Sequence, residues 1–424
     1  MKLIFFLLAL SLTSLQAEVT AEQMFVKATK DGDLQTIETL LSVGFNPSLP
    51  VHGYTPLYFA IQFNRTDIVD LLLAGHADPN ALVMSGVQFN RYGGNATPLQ
   101  LAVLLGNERQ ASILIAAGAH VDAKGTTGRT PLDYAVRDGH LEMIHFLIEK
   151  GADVNARDGE GASPLDDAVW QGSLDTVAIL LAHGGRVNEP ETQTGATPIN
   201  EAAFMGKTEI VRYLLQFHPD LGIPDKRGYG PLDNAIRMRK EDAAQLLLEA
   251  EPKEHQTAQF LGKTMEAATQ KDESVTVAAL LRHGALANDL LPSGASPLDV
   301  AAFGGAGKVV RLLLDNGADP NLSGRNGATP LEDASLKGFD SIVSMLLDHG
   351  ALVNQLNSGS GTTALYAAAS FGKGAVVKLL LSRGANPLLC GNNRKSPYQA
   401  AVDNGYSEVA TEIRNHGGAG RCEQ

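Results

Sequence analysis

The sequence lacks the short motifs that identify many enzymes and cofactor-binding proteins. It contains no HExxH, no GxSxG, no P-loop and no CxxC pattern. Such motifs fix the spacing of metal ligands, nucleophiles, phosphate-binding amides or redox thiols, so their absence argues against those classes of site. His183, His283 and His349 each stand just before a glycine at the end of a helical pattern, where a helix C-terminus favours a cation. We therefore expect no catalytic residue, no metal site and no cofactor.

Basic residues and aromatic residues are also scarce. The chain has 34 lysines and arginines against 47 aspartates and glutamates, which gives a formal net charge of −13. A nucleic-acid-binding surface is generally basic, so a nucleic-acid partner is not expected. Aromatic residues make up 6% of the chain, with a single tryptophan. This composition fits a fold in which small side chains let helices stack closely.

Long hydrophobic runs are confined to the N-terminus. Lys2 precedes an apolar run from Leu3 to Leu12, and a more polar stretch follows from Thr13 to Ala17. The run is shorter than the about 20 residues that a membrane span needs. It predicts a signal peptide over residues 1–17, with the mature chain beginning near Glu18 and no membrane span after its removal. Export to a periplasm or out of the cell is therefore expected; a buried N-terminal helix is the alternative.

What the sequence does contain is a repeated unit, clearest from Gly128 to Ala156. Thr130 can cap a helix whose first residue is Pro131, and Asp133 completes a capping box three residues after the cap. Gly139 ends this first helix, a second apolar-faced helix follows, and a turn-like loop closes the unit. The unit therefore predicts helix, turn, helix and extended loop.

The unit recurs at a fixed period. Successive cap steps from Thr97 to Gly230, and again from Ser296 to Ser396, are 33 or 34 residues apart. The steps, which read TPL or a close variant, begin at Thr55, Thr97, Thr130, Ser163, Thr197, Gly230, Ser296, Thr329, Thr363 and Ser396.

From about residue 22 to 416 the chain thus resembles the ankyrin repeat family, whose repeat has a T-P-L-H-x-A core. The residue in place of the family's histidine is Asp133, Asp166, Asn200, Asp233, Asp299 or Glu332. The resemblance implies an all-α solenoid of stacked helix-turn-helix repeats with β-hairpin-like loops, about twelve units including degenerate caps. It also implies a monomeric, non-catalytic scaffold that binds a protein through loop tips and the concave face of the first helices. A factor of the cell envelope that supports or controls an exported enzyme is the alternative.

The period also predicts the domain organisation. Residues 18–251 form one repeat stack with an N-terminal cap repeat, and residues 294–416 form another with a C-terminal cap. Between them, residues 252–293 form a degenerate joint repeat in which Gly262-Lys263-Thr264 stands where TPL is expected. One solenoid with a weak joint is favoured over two separate stacks. Residues 417–424 are expected to form a flexible tail.

The partner-binding residues are expected at the end of the first helices and at the neighbouring loop tip. Exposed aromatic side chains mark interaction surfaces, and tryptophan, tyrosine and arginine are frequent interface anchors. The alternative is that neighbouring repeats cover these side chains as packing. The candidates, from consecutive repeats, are Trp170, Phe204, Met205, Tyr229 and Met238, flanked by Arg137 and Arg237.

Two further features depart from the repeat. A loop of residues 82–94 lengthens one repeat and carries Met84, Phe89 and Tyr92, which either contact a partner or pack on their own repeat. Cys390 and Cys422 are the two cysteines of the sequence. An exported protein can form disulfides, so a bridge between them could pin the tail to the last full repeat; two free thiols are the alternative.

Overall fold

The computed structural model describes residues 20–50, 53–82, 95–253, 256–324 and 326–419. The chain divides into two compact units, Met1–Thr194 and Gly195–Gln424. The predicted signal peptide, the loop residues Met84, Phe89 and Tyr92, and Cys422 lie outside the described residues. Among the described residues, no helix combines the length and the apolar character needed to cross a membrane.

The first unit contains five pairs of helices in its described part. In each pair the odd-numbered helix is the first helix of a repeat and the even-numbered helix is the second. The helices are α1 (Ala21–Asp31), α2 (Leu34–Ser42), α3 (Pro56–Gln62), α4 (Thr66–Ala74), α5 (Pro98–Leu104), α6 (Glu108–Ala116), α7 (Pro131–Asp138), α8 (Leu141–Glu149), α9 (Pro164–Gln171) and α10 (Leu174–Ala182).

The second unit continues the same alternation with seven pairs. Its helices are α11 (Pro198–Met205), α12 (Thr208–Leu215), α13 (Pro231–Arg237), α14 (Glu241–Ala250), α15 (Ala258–Gln270), α16 (Ser274–Arg282), α17 (Pro297–Gly304), α18 (Gly307–Asp315), α19 (Pro330–Lys337), α20 (Asp340–Asp348), α21 (Ala364–Ser370), α22 (Gly374–Ser382), α23 (Pro397–Asp403) and α24 (Ser407–Asn415). An all-helical solenoid of about twelve helix pairs is therefore confirmed.

The predicted caps account for where the first helices begin and end. The Asp133 N–H donates to the Thr130 hydroxyl at 3.2 Å, and the Thr130 N–H donates back to the Asp133 carboxylate at 2.7 Å. Pro131 occupies the first helical position, and Gly139 takes a left-handed conformation with φ 69°. These contacts satisfy backbone groups that a helix end would otherwise leave unpaired.

Within each unit, helices of one repeat pack against the equivalent helices of the next. In the second unit, the first helices from α11 to α23 each contact the first helix of the next repeat, as do the second helices from α12 to α24. The buried faces are built from small and aliphatic side chains such as Ala135, Leu165 and Ala301. The last turn of each first helix lies at the edge of this core, where the candidate side chains project.

The degenerate repeat begins earlier than the sequence suggested. The prediction that Gly262-Lys263-Thr264 replaces the cap step was wrong, because the α15 helix starts at Ala258 and contains all three residues. Its cap is Thr257, whose hydroxyl accepts the Phe260 N–H at 3.2 Å. The first repeat is similar, since α1 also follows a threonine cap and has no proline at its start. The α15 helix packs against both α13 and α17, so stacking runs through this repeat within the second unit.

Candidate partner-binding surface

Trp170 is the last residue but one of α9, and it is exposed. Its relative exposure is 57%, although the residues from Pro164 to Val169 that precede it in the helix are all buried. A packing role requires burial of the indole, so the exposure favours a contact role. An exposed tryptophan on a rigid, fully capped helix is the kind of side chain that anchors protein interfaces.

Arg137, one repeat earlier, is engaged within the chain. Its guanidinium lies 2.7 Å from the carboxylate of Asp167, three residues before Trp170 in α9. Burial raises the pKa of Asp167 to about 6, although the hydrogen bond and the charge of Arg137 act to lower it. Arg137 therefore orders the base of the surface around Trp170 and already has a carboxylate partner.

The second unit holds a cluster of two aromatic rings and two arginines: Phe204, Arg227, Tyr229 and Arg237, referred to below as the Arg227 cluster. The Arg237 guanidinium carbon lies 4.0 Å from the centre of the Tyr229 ring. The Arg227 guanidinium carbon lies 5.4 Å from the centre of the Phe204 ring and 5.9 Å from that of Tyr229. Cations at these distances over aromatic faces are attracted by the ring quadrupole, so the cluster is ordered before any partner binds.

Asp225 holds the loop that carries Arg227 and Tyr229. Its carboxylate accepts the N–H groups of Arg227 at 2.8 Å and of Tyr229 at 3.1 Å, and it forms a 2.8 Å salt bridge with the Arg227 guanidinium. Asn234 adds an amide donor at 3.2 Å. Burial acts to raise the pKa of Asp225, but these hydrogen bonds outweigh it and hold the pKa below the usual value. The buried carboxylate therefore fixes the geometry of the exposed cluster.

The two methionines border the cluster in the chain. Met205 ends α11 directly after Phe204 and is half-buried, while Met238 follows Arg237 and is 42% exposed. The structure therefore links the predicted residues Phe204, Tyr229 and Arg237 through Arg227. Sequence reasoning missed Arg227, and its position in the loop two residues before Tyr229 is the signal that could have found it.

Exposed apolar residues occupy the same repeat position elsewhere. Leu105, Phe303 and Phe371 stand at or next to the end of α5, α17 and α21, and all three are exposed. The Lys337 ammonium lies 4.0 Å from the centre of the Phe303 ring. The position is thus open in several repeats, and Trp170 and the Arg227 cluster are distinguished by residue type rather than by exposure alone.

Two other predicted features have partial structural counterparts. Among the described residues, no group of three or more histidine, cysteine, aspartate or glutamate side chains is arranged to hold a metal ion. Cys390 is disulfide-bonded. Because Cys422 lies outside the described residues, the pairing of the two remains a prediction.

Comparison with protein families gives one consistent result. A family model described as "Ankyrin repeats (3 copies)" matches residues 3–83, 80–158, 99–191, 165–258 and 264–357. A model described as "Ankyrin repeat" matches residues 360–392. Together the matches cover most of the chain, including the segments that carry Trp170 and the Arg227 cluster.

Curated relatives match over short segments. The human 2-5A-dependent ribonuclease is 34% identical over 94 residues, which is 22% of this chain and 12% of that protein. The glycerophosphocholine phosphodiesterase gde1 of Schizosaccharomyces pombe is 34% identical over 93 residues, 22% of this chain and 8% of that protein. The putative E3 ubiquitin-protein ligase XBAT34 of Arabidopsis thaliana is 46% identical over 65 residues, 15% of this chain and 17% of that protein. The chain thus spans less than a fifth of the length of each of these relatives.

Proposed function

Because the chain belongs to the ankyrin repeat family, we propose that it is a non-catalytic scaffold that binds a partner protein through the exposed ends of its first helices. Ankyrin repeats are typically protein-binding scaffolds. The observation that carries the proposal is Trp170, the single tryptophan of the chain, held at 57% exposure on a capped helix. The preordered Arg227 cluster supports it, since fixed aromatic and arginine side chains lose little entropy on binding.

The proposal assigns no reaction to this chain. The ribonuclease, phosphodiesterase and ubiquitin ligase activities named above belong to proteins of which this chain matches less than a fifth. Ankyrin repeats are common to these otherwise different proteins, and a shared fold does not carry a shared activity. What the matched segments have in common is therefore consistent with a binding role.

The location of binding is also proposed to be outside the cytoplasm. The apolar run after Lys2 supports a signal peptide, and removal of residues 1–17 would leave a chain that begins near Glu18. N-terminal sequencing of the protein from its native host tests this, and intact Met1 on a cytosolic protein would contradict it. In that location the scaffold could also support or control an exported enzyme, which the identity of the partner would reveal.

The binding role is tested by comparative capture from the native host. The immobilised wild-type chain is compared with two variants, Trp170→Ala and Leu352→Ala. Leu352 is an exposed leucine in the loop after α20, away from the ends of the first helices. We expect a protein that the wild type and Leu352→Ala retain and that Trp170→Ala loses. Equal retention by all three chains would remove Trp170 from the site, and direct titration with the recovered protein then measures the affinity.

A further inference from the structure

A cavity of about 530 Å³ opens in the second unit between the first helices α15, α17 and α19. Its wall carries three carboxyl groups, from Glu266, Asp299 and Asp333, beside the apolar side chains of Val300 and Phe303. Phe303 is 48% exposed, and the Lys337 ammonium lies 4.0 Å from the centre of its ring. The cavity is therefore strongly acidic on one side and apolar on the other.

Asp299 occupies the third position of α17, and in several other repeats, though not at Asp133 or Asp166, the equivalent residue bonds to the loop of the following repeat. Glu332 accepts the Asn357 amide and the Thr362 hydroxyl, both at 2.7 Å. Gln100 donates to the carbonyls of Ala123 and Arg129 at 2.9 and 2.6 Å. In these repeats the side chain at the third helix position is thus satisfied by the neighbouring loop.

The loop that follows Asp299 supplies no such side-chain donor from the equivalent positions. A backbone hydrogen bond from the Gly324 N–H to the Ala328 carbonyl closes this loop. The corresponding bond in the next repeat joins Asn357 and Thr362. A Cβ at Gly324 would collide with Asp299 Oδ2, so the glycine brings bare backbone against the carboxylate. Both Gly324 and Ala328 line the cavity. The cavity thus lies where the next repeat has the donating side chains of Asn357 and Thr362.

The Asp299 carboxyl is left incompletely satisfied. The residue is 8% exposed, and its Oδ1 atom, like those of Asp133 and Asp166, has no hydrogen-bond partner among the described residues. Unlike the carboxylates of Asp133 and Asp166, that of Asp299 makes no return bond to its cap residue within the described chain. A buried carboxylate oxygen without a donor is costly, and a bound donor would remove that cost.

The carboxyl groups of Asp299 and Asp333 are neighbours in this cavity. Burial raises the pKa of both groups, and for Asp333 the hydrogen bond and the charge of Asp299 raise it further. Among the described residues, Glu266 on α15 lines the same cavity, and Glu332 and Lys337 on α19 act on the pair with opposite charges. Two neighbouring buried carboxyl groups cannot both be ionised cheaply, which is the physical reason for these directions.

We infer that this cavity binds the basic side chain, lysine or arginine, of a partner protein. An ammonium or guanidinium group supplies the side-chain donors missing at Gly324 and Ala328, and its positive charge reduces the cost of ionising Asp299 and Asp333 together. The aliphatic stem of the same side chain contacts Val300 and the exposed part of Phe303. That the basic side chain belongs to a partner protein rests on the proposed scaffold function, whereas the affinity of the cavity for a basic group does not.

The test titrates the full chain with N-acetyl-lysine methylamide and follows the Ala328 methyl and the Phe303 ring by NMR. We expect saturable shifts with a dissociation constant of about 10 mM or tighter, and binding at least about tenfold weaker for the uncharged N-acetyl-norleucine methylamide. Equal binding of the two probes would overturn the inference. Tighter binding of putrescine than of the lysine probe would also overturn it, in favour of a free amine. Because no partner protein is needed, failure here leaves the scaffold proposal standing.

Variants locate the probe. Asp299→Asn removes one charge at nearly constant volume and should weaken binding about tenfold. Ala328→Leu keeps the carboxyl pair but fills the cavity, and should also abolish the shifts. Asp340→Asn removes the same charge from an exposed site on α20 and should change nothing; an equal loss in this control would show general electrostatic attraction only. Melting curves establish that each variant is folded.

One cation close in sequence needs its own control. Arg325 follows Gly324 and lies outside the described residues. The inference expects Arg325→Ala to bind the lysine probe as tightly as the wild type or more tightly. Loss of binding in this variant would contradict it.

Discussion

The two units each present an arginine–aspartate pair beneath the candidate surface, and the two pairs differ in an instructive way. The Arg137–Asp167 and Arg227–Asp225 distances are almost equal, at 2.7 and 2.8 Å. Yet the pKa of Asp167 is raised, to about 6, while the pKa of Asp225 is lowered. Both side chains expose little surface, but Asp167 lies deeper among protein atoms than Asp225, so burial raises its pKa more strongly, whereas the distances are the same.

The number of donors around each carboxylate adds to this difference in burial. Asp225 accepts two backbone N–H groups and the Asn234 amide in addition to the arginine, which together outweigh the cost of burial. Asp167 has Arg137 as a hydrogen-bonded cation, and the charge of Asp158 opposes its ionisation. At Asp167 the charges of Arg137 and Arg129 do not offset deep burial, whereas at Asp225 several N–H donors outweigh a weaker effect of burial.

Of the substitutions that test this comparison, Asp225→Asn should cause the largest change in unfolding free energy. The change keeps the volume of the side chain but removes the charge that orders Arg227 and Tyr229, so we expect a loss of about 2–3 kcal/mol in unfolding free energy at neutral pH. The exposed Asp289→Asn serves as control, with a change within about 0.5 kcal/mol. Because the folded pKa is lowered, the stability from Asp225 is present above the unfolded value and lost as pH falls through the folded one. Denaturant unfolding at several pH values measures the loss of unfolding free energy and its pH dependence. Equal losses for Asp225→Asn and Asp289→Asn would contradict a stabilising role of the hydrogen bonds to Asp225.

Asp167→Asn should change the unfolding free energy in the opposite direction to Asp225→Asn, and by a smaller amount. Burial raises the pKa of Asp167 in the folded chain to about 6, above the usual value of an aspartate. Its contribution to stability is therefore greatest below the unfolded pKa and is lost as pH rises towards the folded pKa. Asparagine removes this cost while keeping an acceptor for Arg137. We expect a gain of about 1 kcal/mol at pH 8 that disappears at pH 4. A loss of stability at pH 8 would mean that the Arg137 ion pair outweighs burial.

The smallest expected effect concerns the stacking of Arg237 on Tyr229. A double-mutant cycle with Arg237→Ala and Tyr229→Ala should give a coupling energy of about 0.5–1 kcal/mol in unfolding free energy, the size of an exposed cation–π contact. The same cycle with Arg137→Ala and Tyr229→Ala should give no coupling. A zero value for the Arg237 cycle would show that the Arg227 cluster is not ordered before binding.

The fold could be predicted from the sequence because its signals are local. Thr130, Pro131, Asp133 and Gly139 define one helix through contacts within ten residues, and the period repeats them along the chain. The start of α15 was not predicted because its cap residue, Thr257, is not followed by a proline. The fixed repeat period then placed the cap step at Gly262, which lies inside the helix. The predicted weak joint at residues 251–262 remains to be tested, by limited proteolysis that should cut there before it cuts between Asn95 and Ala250.

The candidate sites were less predictable because they depend on contacts between repeats. The helix ends identified Trp170 and the adjacent loop tip identified Tyr229, but the role of Arg227 depends on its salt bridge with Asp225. The orphan Asp299 carboxyl depends on what the following loop lacks at Gly324 and Ala328, since the same helix position is satisfied in Glu332. A periodic pattern thus predicts where side chains project but not which of them remain available for binding.

The central claim, that Trp170 is exposed for binding, is tested most directly by Trp170→Ala in a binding titration beside a melting curve. The partner is the protein recovered by comparative capture, and Leu352→Ala is the control. We expect binding to weaken by about 2 kcal/mol or more while the unfolding free energy changes by less than about 1 kcal/mol. A loss of about 3–5 kcal/mol in stability, with the affinity of the folded fraction unchanged, would show instead that Trp170 is a packing residue.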